Sequence, residues 1–286
     1  MKYHLILENA AGEQADLSTT ANRYMMSKVT GLDPPGATIS TATYATMNGS
    51  KLNRAFLEKR NIVISFEMRG TGIEKRRHKL YRVAKPSEYI KVYYRTSNID
   101  VYAEGVVETC EPSRFDMPVS GQISILCPDV YFYSTQDTIV QHSSIVSGFK
   151  FPFAIAEKPG VPLGVYQMDS SITIQNNGDP IGMEITMEAK GGTVSTPTIY
   201  NADTGAYLRI TGNILEGDKI TITTKHGHRT VTLTRNGVSI SIMNRWVSGS
   251  EWLELPTGES HFYITALLGL KYLIVTFRHT DAYLGV

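Results

Sequence analysis

The sequence predicts a mainly β protein of two domains, and three observations lead to this prediction. The chain has 286 residues, more than an average single domain, and 42% of them are apolar. Apolar residues recur at every second position in many short segments, which is the period of a half-buried strand. Only residues 73–85 show the period of an amphipathic helix. We therefore expect β domains over residues 1–133 and 134–286.

The first domain is expected to begin with a long arm. Residues 11–56 are rich in Thr, Ser, Ala and Gly and show little sustained period. A structureless loop of that length is unusual inside a compact domain, so we expect an extended arm or loop that is ordered by something outside its own domain, such as a neighbouring subunit. Next, Ile62, Ile64, Phe66 and Met68 alternate with the residues between them, which predicts a half-buried strand.

The one predicted helix, residues 73–85, is strongly basic. Pro86 ends it, and its apolar stripe faces away from a side rich in Lys and Arg. Between positions 51 and 95 there are thirteen Lys or Arg against four Glu, although the whole chain has a net charge of only +1. The overall charge gives no reason to expect nucleic acid or a membrane as partner. We interpret the basic side as a solvated face or as a contact for an acidic protein surface.

Strands continue at residues 88–95, 99–111 and 121–126, and residues 127–166 contain several prolines that suggest a crossing between domains. From Ser171 onward, strands recur at short spacing with turn signals between them, a rhythm typical of an antiparallel β-sandwich.

A pair of hairpins gives this sandwich its clearest register. The dipeptide Asn236-Gly237 supplies the two positive-φ positions of a type I′ turn, which sets Leu233 opposite Ile240. A preceding loop at residues 225–228 sets Ile220 opposite Leu233, so three strands are expected to share one apolar side.

The order of these segments resembles the distal tail proteins of long-tailed, non-contractile bacteriophages. The first half of the chain is similar through NIVISFEM, EKRRHKLYRVAKP, VYAEGVVETCE and ISILCPDVYFYS. The second half is similar through SITIQNNGDPIGMEITM, TPTIYNADTGAYLRITGNILEGDKITI and the C-terminal residues YLGV. The resemblance therefore extends along nearly the whole chain.

The resemblance implies an N-terminal β domain related to the tail-tube fold and a C-terminal galectin-like β-sandwich. It also implies a homohexameric ring at the tail tip of the virion, assembled in the host cytoplasm. Such a ring joins the tail tube protein to the tail-associated hub protein and supports receptor-binding proteins. A ring through which DNA must leave should not bind nucleic acid tightly, which again favours a protein contact for the basic helix.

The sequence predicts no enzyme, cofactor or metal site. It contains no nucleophile elbow, no complete phosphate loop and no His-Glu-x-x-His pair. Gly70-Thr71-Gly72 begins like a dinucleotide fingerprint, but a strand-to-helix turn is the better interpretation. His226 and His228 lack neighbouring ligands for a metal, and Asn48-Gly49-Ser50 is interpreted as a polar loop.

Two further pairs leave alternatives open. Trp246 and Trp252 could form a platform for a sugar ring, which would make the C-terminal domain a carbohydrate-binding module for host adhesion, or they could cap the sandwich core. Cys110 and Cys127 lie in strands predicted to be adjacent; a disulfide is conceivable, and two buried thiols are the preferred interpretation.

Overall fold

The structure, a computed structural model, describes residues 3–18, 24–44, 46–143, 145–147, 164–166 and 171–286. Within those residues, antiparallel strands dominate and one α-helix is present, which confirms the prediction of a mainly β protein. The chain forms two compact units. The first comprises Met1–Thr135 and Ala282–Val286, and the second comprises Gln136–Asp281. No helix in the described ranges is long and apolar enough to cross a membrane.

The first unit contains one helix and its strands, of which the last continues into the second unit. These elements are β1 (His4–Asn9), β2 (Gln14–Asp16), β3 (Tyr24–Thr30), β4 (Ala37–Thr43), β5 (Ser50–Leu57), β6 (Arg60–Met68), α1 (Ile73–Val83), β7 (Tyr89–Arg95), β8 (Asp100–Pro112), β9 (Val119–Cys127) and β10 (Phe132–Ser143).

Seven of these strands form a continuous antiparallel series. Strand β1 pairs with β2 and β7, β7 with β8, β8 with β9, β9 with β6, and β6 with β3. Their inward side chains build one apolar core, which includes Leu7, Ile64, Val92 and Ile123. The alternation predicted for β6 is confirmed, because Ile62, Ile64, Phe66 and Met68 are all fully buried.

The predicted helix is confirmed as α1, although it ends at Val83. Gly72 precedes it with a φ of 77°, a left-handed conformation that glycine adopts without steric cost. Leu80 and Val83 are buried against the core of the unit, as the apolar stripe predicts. The helix ends before Pro86, because a proline disfavours helical geometry at the residue that precedes it.

The prediction of an extended arm over residues 11–56 is wrong for its first part. Strand β3 lies within that range, pairs with β6 and buries Tyr24 in the core of the unit. A bulge between Met26 and Lys28 shifts the register and interrupts the two-residue alternation. Because of that bulge, a prediction based on side-chain alternation misses the strand. Among the described residues of 11–56, only those of β4 and β5 form a sheet separate from the main sheet of the unit.

The second unit begins within β10. Its last strand, β24, leads back into the first unit. Its elements are β11 (Ile145–Ser147), β12 (Gly164–Tyr166), β13 (Ser171–Asn176), β14 (Ile181–Gly182), β15 (Glu184–Ala189), β16 (Val194–Asn201), β17 (Tyr207–Arg209), β18 (Asn213–Ile214), β19 (Lys219–Thr223), β20 (Thr230–Arg235), β21 (Val238–Ser241), β22 (Glu254–Leu255), β23 (Gly258–Leu268) and β24 (Leu273–Tyr283).

Two antiparallel sheets enclose the core of this unit. One has the strand order β24-β15-β19-β20-β21, and the other has the order β13-β23-β16-β17 with β18 also beside β16. A single apolar cluster joins residues of both sheets, including Ile185, Ile222, Ile199 and Phe262. This arrangement confirms the predicted antiparallel sandwich. The proline-containing residues 148–163 of the predicted crossing lie outside the described residues.

The predicted register of the paired hairpins is confirmed. Leu233 lies opposite Ile240 and also opposite Ile220. Asn236 and Gly237 both have positive φ, at 50° and 77°, as a type I′ turn requires. The shared apolar side is less completely buried than expected: Leu233 is 2% exposed, whereas Ile240 on the edge strand is 54% exposed.

Candidate assembly surfaces

The hairpin of β4 and β5, which we call the arm, exposes nearly all its side chains. In the described part of the chain these two strands pair only with each other. Every residue of β5 is exposed, including Leu52 and Phe56. Isolated two-stranded hairpins are marginally stable in water, and an uncovered apolar face adds to that cost. The arm therefore has the properties of a segment that another surface covers.

One face of the arm concentrates apolar side chains. Ile39 pairs with Ala55, and Thr41 pairs with Leu52. Because Ile39 and Thr41 are two residues apart on one strand, Leu52 and Ala55 lie on the same side as Ile39. Ile39 is 63% exposed and Leu52 is 59% exposed. We call this side the arm's apolar face.

A bulge in β5 keeps the apolar face continuous. The register changes between Ser40 and Thr41, whose partners are Arg54 and Leu52, so that Asn53 is the extra residue. Without that residue, Leu52 would turn to the opposite side of the hairpin. The opposite side is more polar, and there Arg54 lies over the ring of Phe56 at 5.2 Å.

The basic side of α1 is the second candidate surface. Two of its arginines are engaged locally: Arg76 donates to the carbonyl oxygens of Thr71 and Arg69 at 2.7 and 2.8 Å, and Arg77 donates to that of Ser113 at 3.0 Å. The exposed cations therefore come mainly from other positions of the helix. Around a shallow depression of about 320 Å³ lie Lys75, Arg76, His78, Lys79 and Arg82.

These exposed cations have few acidic partners in the described residues. Arg82 lies 3.4 Å from Glu13, and Glu74 is shared between Arg77 and His78. No ion pair is recorded there for Lys75 or Lys79. A surface of this kind attracts acidic partners through solvent-screened electrostatics, which act on association rate more than on affinity.

Other motifs from the sequence serve as turns. Gly70-Thr71-Gly72 joins β6 to α1, which confirms the strand-to-helix turn. His226 and His228 are exposed in the turn between β19 and β20. Over the described ranges, no group of three His, Cys, Asp or Glu residues is placed to hold a metal ion.

The two tryptophans stack on each other and do not leave a free platform between them. Their ring centroids are 4.2 Å apart with an interplanar angle of 23°. Both rings pack against the sandwich core, and the guanidinium of Arg229 lies 5.7 Å from the centroid of Trp252. Each ring therefore covers one face of the other, and Arg229 lies over the ring of Trp252. This geometry favours the interpretation that Trp246 and Trp252 cap the core.

The two cysteines are free thiols. Strands β8 and β9 are adjacent, as predicted, but Cys110 lies opposite Ile123, and Cys127 lies beside Gly105 at the other end of the pairing. Burial raises the pKa of each thiol to about 11, so both stay protonated near neutral pH.

These features are typical of a structural assembly protein, which acts through contact surfaces. They are the two β units, the basic helix, and the arm, whose apolar face is exposed. Comparison with known proteins gives one match to a family model. Residues 178–279 match the family model of the siphovirus-type tail component, C-terminal domain. A comparison with curated protein sequences gives no match.

Solved structures extend this similarity over the whole chain. The chain is similar to the SPP1 Dit (gp 19.1) protein, described as a paradigm of the hub adsorption apparatus in phages that infect Gram-positive bacteria, with a TM-score of 0.64 and 12% identity over 97% of this chain and 98% of that one. Chains of the phage P2 baseplate in its activated conformation, with Ca and with Sr, give TM-scores of 0.48 and 0.46 at 10% and 11% identity. These two matches cover 98% and 97% of this chain and 98% of each baseplate chain.

The C-terminal segment, residues 178–279, matches the siphovirus-type tail component, and the similarity to SPP1 Dit shows a common fold. Both findings agree with the predicted resemblance to the distal tail proteins of siphophages.

Proposed function

We propose that this protein is a structural component of the phage tail tip, in which six copies close into a ring. The ring would join the tail tube to the tail-associated hub and support receptor-binding proteins, with no catalytic role. Its partners are then a second copy of itself and the adjoining tail proteins. The family match and the common fold support a tail protein, and the ring rests on the structure of the arm.

The observation that supports the ring most directly is the arm's apolar face. A stable folded protein rarely leaves a row of apolar side chains on a free hairpin. A neighbouring copy supplies the simplest cover, since a head-to-tail contact repeated around an axis closes into a ring. Repetition also gives receptor-binding proteins several docking points at once, so that weak individual contacts combine as avidity.

The double variant Ile39→Ser with Leu52→Ser tests the role of the arm. Both side chains are exposed, so we expect each subunit of the variant to fold like the wild type, with an unchanged circular dichroism spectrum. We expect it to lose the oligomer in light scattering. The control is Lys51→Ser, which alters the opposite side of the same hairpin and should leave the oligomer intact. An oligomer that survives the double variant would contradict the proposed contact.

A further inference from the structure

The last residues of the chain return to the base of the arm. Ala282–Val286 belong to the first unit, and Tyr283 and Val286 pack against its core. The backbone N–H of Val286 donates to the carbonyl oxygen of Leu32 at 3.1 Å. Residue 32 lies in the segment that connects β3 to the arm, so the C-terminal residues contact the arm where it leaves the unit.

Arg60 joins the same segments from the inside. Its side chain is buried, with the residue only 1% exposed, and it donates to carbonyl oxygens rather than to a carboxylate. The acceptors are Gly31, Asp33 at 2.8 Å, Val130 at 2.7 Å and Leu284 at 2.6 Å.

The guanidinium of Arg60 also lies 4.4 Å from the ring centroid of Phe132. Five N–H donors in a planar fork let one arginine donate to several segments at once, whereas a lysine has three donors on a single nitrogen. Arg60 therefore connects the base of the arm, the start of β10 and the C-terminal residues.

Close packing at the base of the arm leaves little freedom there. A Cβ on Gly31 would lie 2.1 Å from the carbonyl oxygen of Asn61, and a Cβ on Gly285 would lie 2.7 Å from Cδ of Pro34. Beyond this point, at Gly36, the space around the chain is open. The orientation of the arm is thus set at residues 31–35, where Arg60 and the C-terminal residues hold it.

We propose that Arg60 and residues 284–286 form a clamp that fixes the direction of the arm for contact with the next copy. This inference rests on the proposed function, because the clamp matters for assembly only if the arm makes that contact. An arm that samples many directions would be able to contact the next copy for only a fraction of the time. The apparent affinity between copies falls by that fraction. Arg60 is then a positioning residue, acting on the contact through residues 31–35.

Pulsed electron spin resonance on the full-length chain tests the clamp independently of any ring. Spin labels are attached at Thr43→Cys on the arm and at Glu104→Cys on β8. Cys110→Ser and Cys127→Ala remove the native thiols, which would otherwise also take up label. Ile39→Ser with Leu52→Ser keeps the protein monomeric. With the clamp intact we expect one narrow distance distribution. Gly285→Ala, or deletion of residues 284–286, should replace it with a broad one. Gly36→Ala, in open space on the same loop, is the control and should keep it narrow.

The outcomes separate the two proposals. A narrow distribution in both clamp variants overturns the clamp, as does equal broadening in the Gly36→Ala control. The ring is tested on protein in which Ile39 and Leu52 are unchanged. In that protein, Gly285→Ala should weaken the apparent affinity of assembly by about ten-fold if the arm points in the binding direction a tenth of the time. If the wild type never assembles, the ring is contradicted, and the distance distribution still decides the clamp.

Discussion

The guanidinium of Arg60 donates to the carbonyl oxygen of Leu284 across 2.6 Å, joining residues 224 positions apart in the sequence. Carbonyls have only partial charge, so several are needed to replace the water that a buried guanidinium loses. Burial lowers the pKa of Arg60 from its usual value, yet arginine starts so high that it stays charged.

Replacing Arg60 with Met should destabilise the whole first unit. The variant leaves several buried carbonyls without a donor, and we expect the free energy of unfolding to fall by about 3 kcal/mol or more. Urea denaturation followed by tyrosine fluorescence measures this change. The control is Arg95→Met, which removes a half-exposed ion pair with Asp100 and should cost less than about 1 kcal/mol. Equal losses in the two variants would contradict the assigned role.

The turn at Asn236-Gly237 should be sensitive to the loss of its glycine. Gly237 has a φ of 77°, so Gly237→Ala places a Cβ in a left-handed conformation and should cost about 1 kcal/mol. Its control is Gly36→Ala, where φ is not positive and the space is open. Thermal unfolding measures both variants. A lower midpoint for Gly237→Ala alone is the expected result, and a similar midpoint for both would argue against the turn.

Acid should weaken the contact between Asp218 and Arg235. Hydrogen bonds from Arg235 lower the pKa of the buried Asp218: Nε donates to Oδ1 at 2.6 Å and Nη2 donates to Oδ2 at 2.5 Å. A lowered pKa in the folded state gives stability that is present above the unfolded value of about 3.9 and is lost as the pH falls through the folded value.

We therefore expect Asp218→Asn to cost about 1–2 kcal/mol at pH 7 and progressively less below pH of about 4. Denaturation of wild type and variant over a pH series gives the difference. A gap that stays constant to low pH would show that ionisation of Asp218 is not its source. Asp100→Asn, an exposed carboxylate, provides the control.

Both thiols should react slowly in the folded protein. Their pKa values of about 11 leave little thiolate at pH 8, whereas unfolded cysteines ionise near 8.5. Alkylation with iodoacetamide, followed by mass spectrometry, should label Cys110 and Cys127 slowly in buffer and rapidly in urea. Fast labelling of Cys127 without denaturant would mean that the packing around Gly105 opens readily.

Local pattern is enough to predict much of this fold. The alternation of Ile62 through Met68 and the turn at Asn236-Gly237 depend on side-chain period and backbone φ, which neighbouring residues determine. Burial on an edge strand is different. Ile240 lies on the correct side of its sheet yet stays half-exposed, because its burial depends on how far the opposite sheet extends, and no local pattern encodes that distance.

The features that we connect with assembly were harder to predict. Strand β3 falls inside the extended segment that the sequence predicts for residues 11–56, because its bulge breaks the alternation. Arg60 looks like an ordinary surface charge at the start of a strand, since its acceptors are backbone carbonyls, which have no sequence signature. Nothing in the local pattern of residues 282–286 indicates that they return to the base of the arm. The exposed apolar face of the arm is visible only once the pairing of β4 and β5 is known.

Light scattering on the purified 286-residue protein, combined with negative-stain imaging, tests directly whether six copies form a ring. Six copies of 31.7 kDa give about 190 kDa, and we expect this mass together with a six-fold ring around a central hole. A protein that remains a monodisperse monomer at high concentration, with no rings in the images, would contradict it.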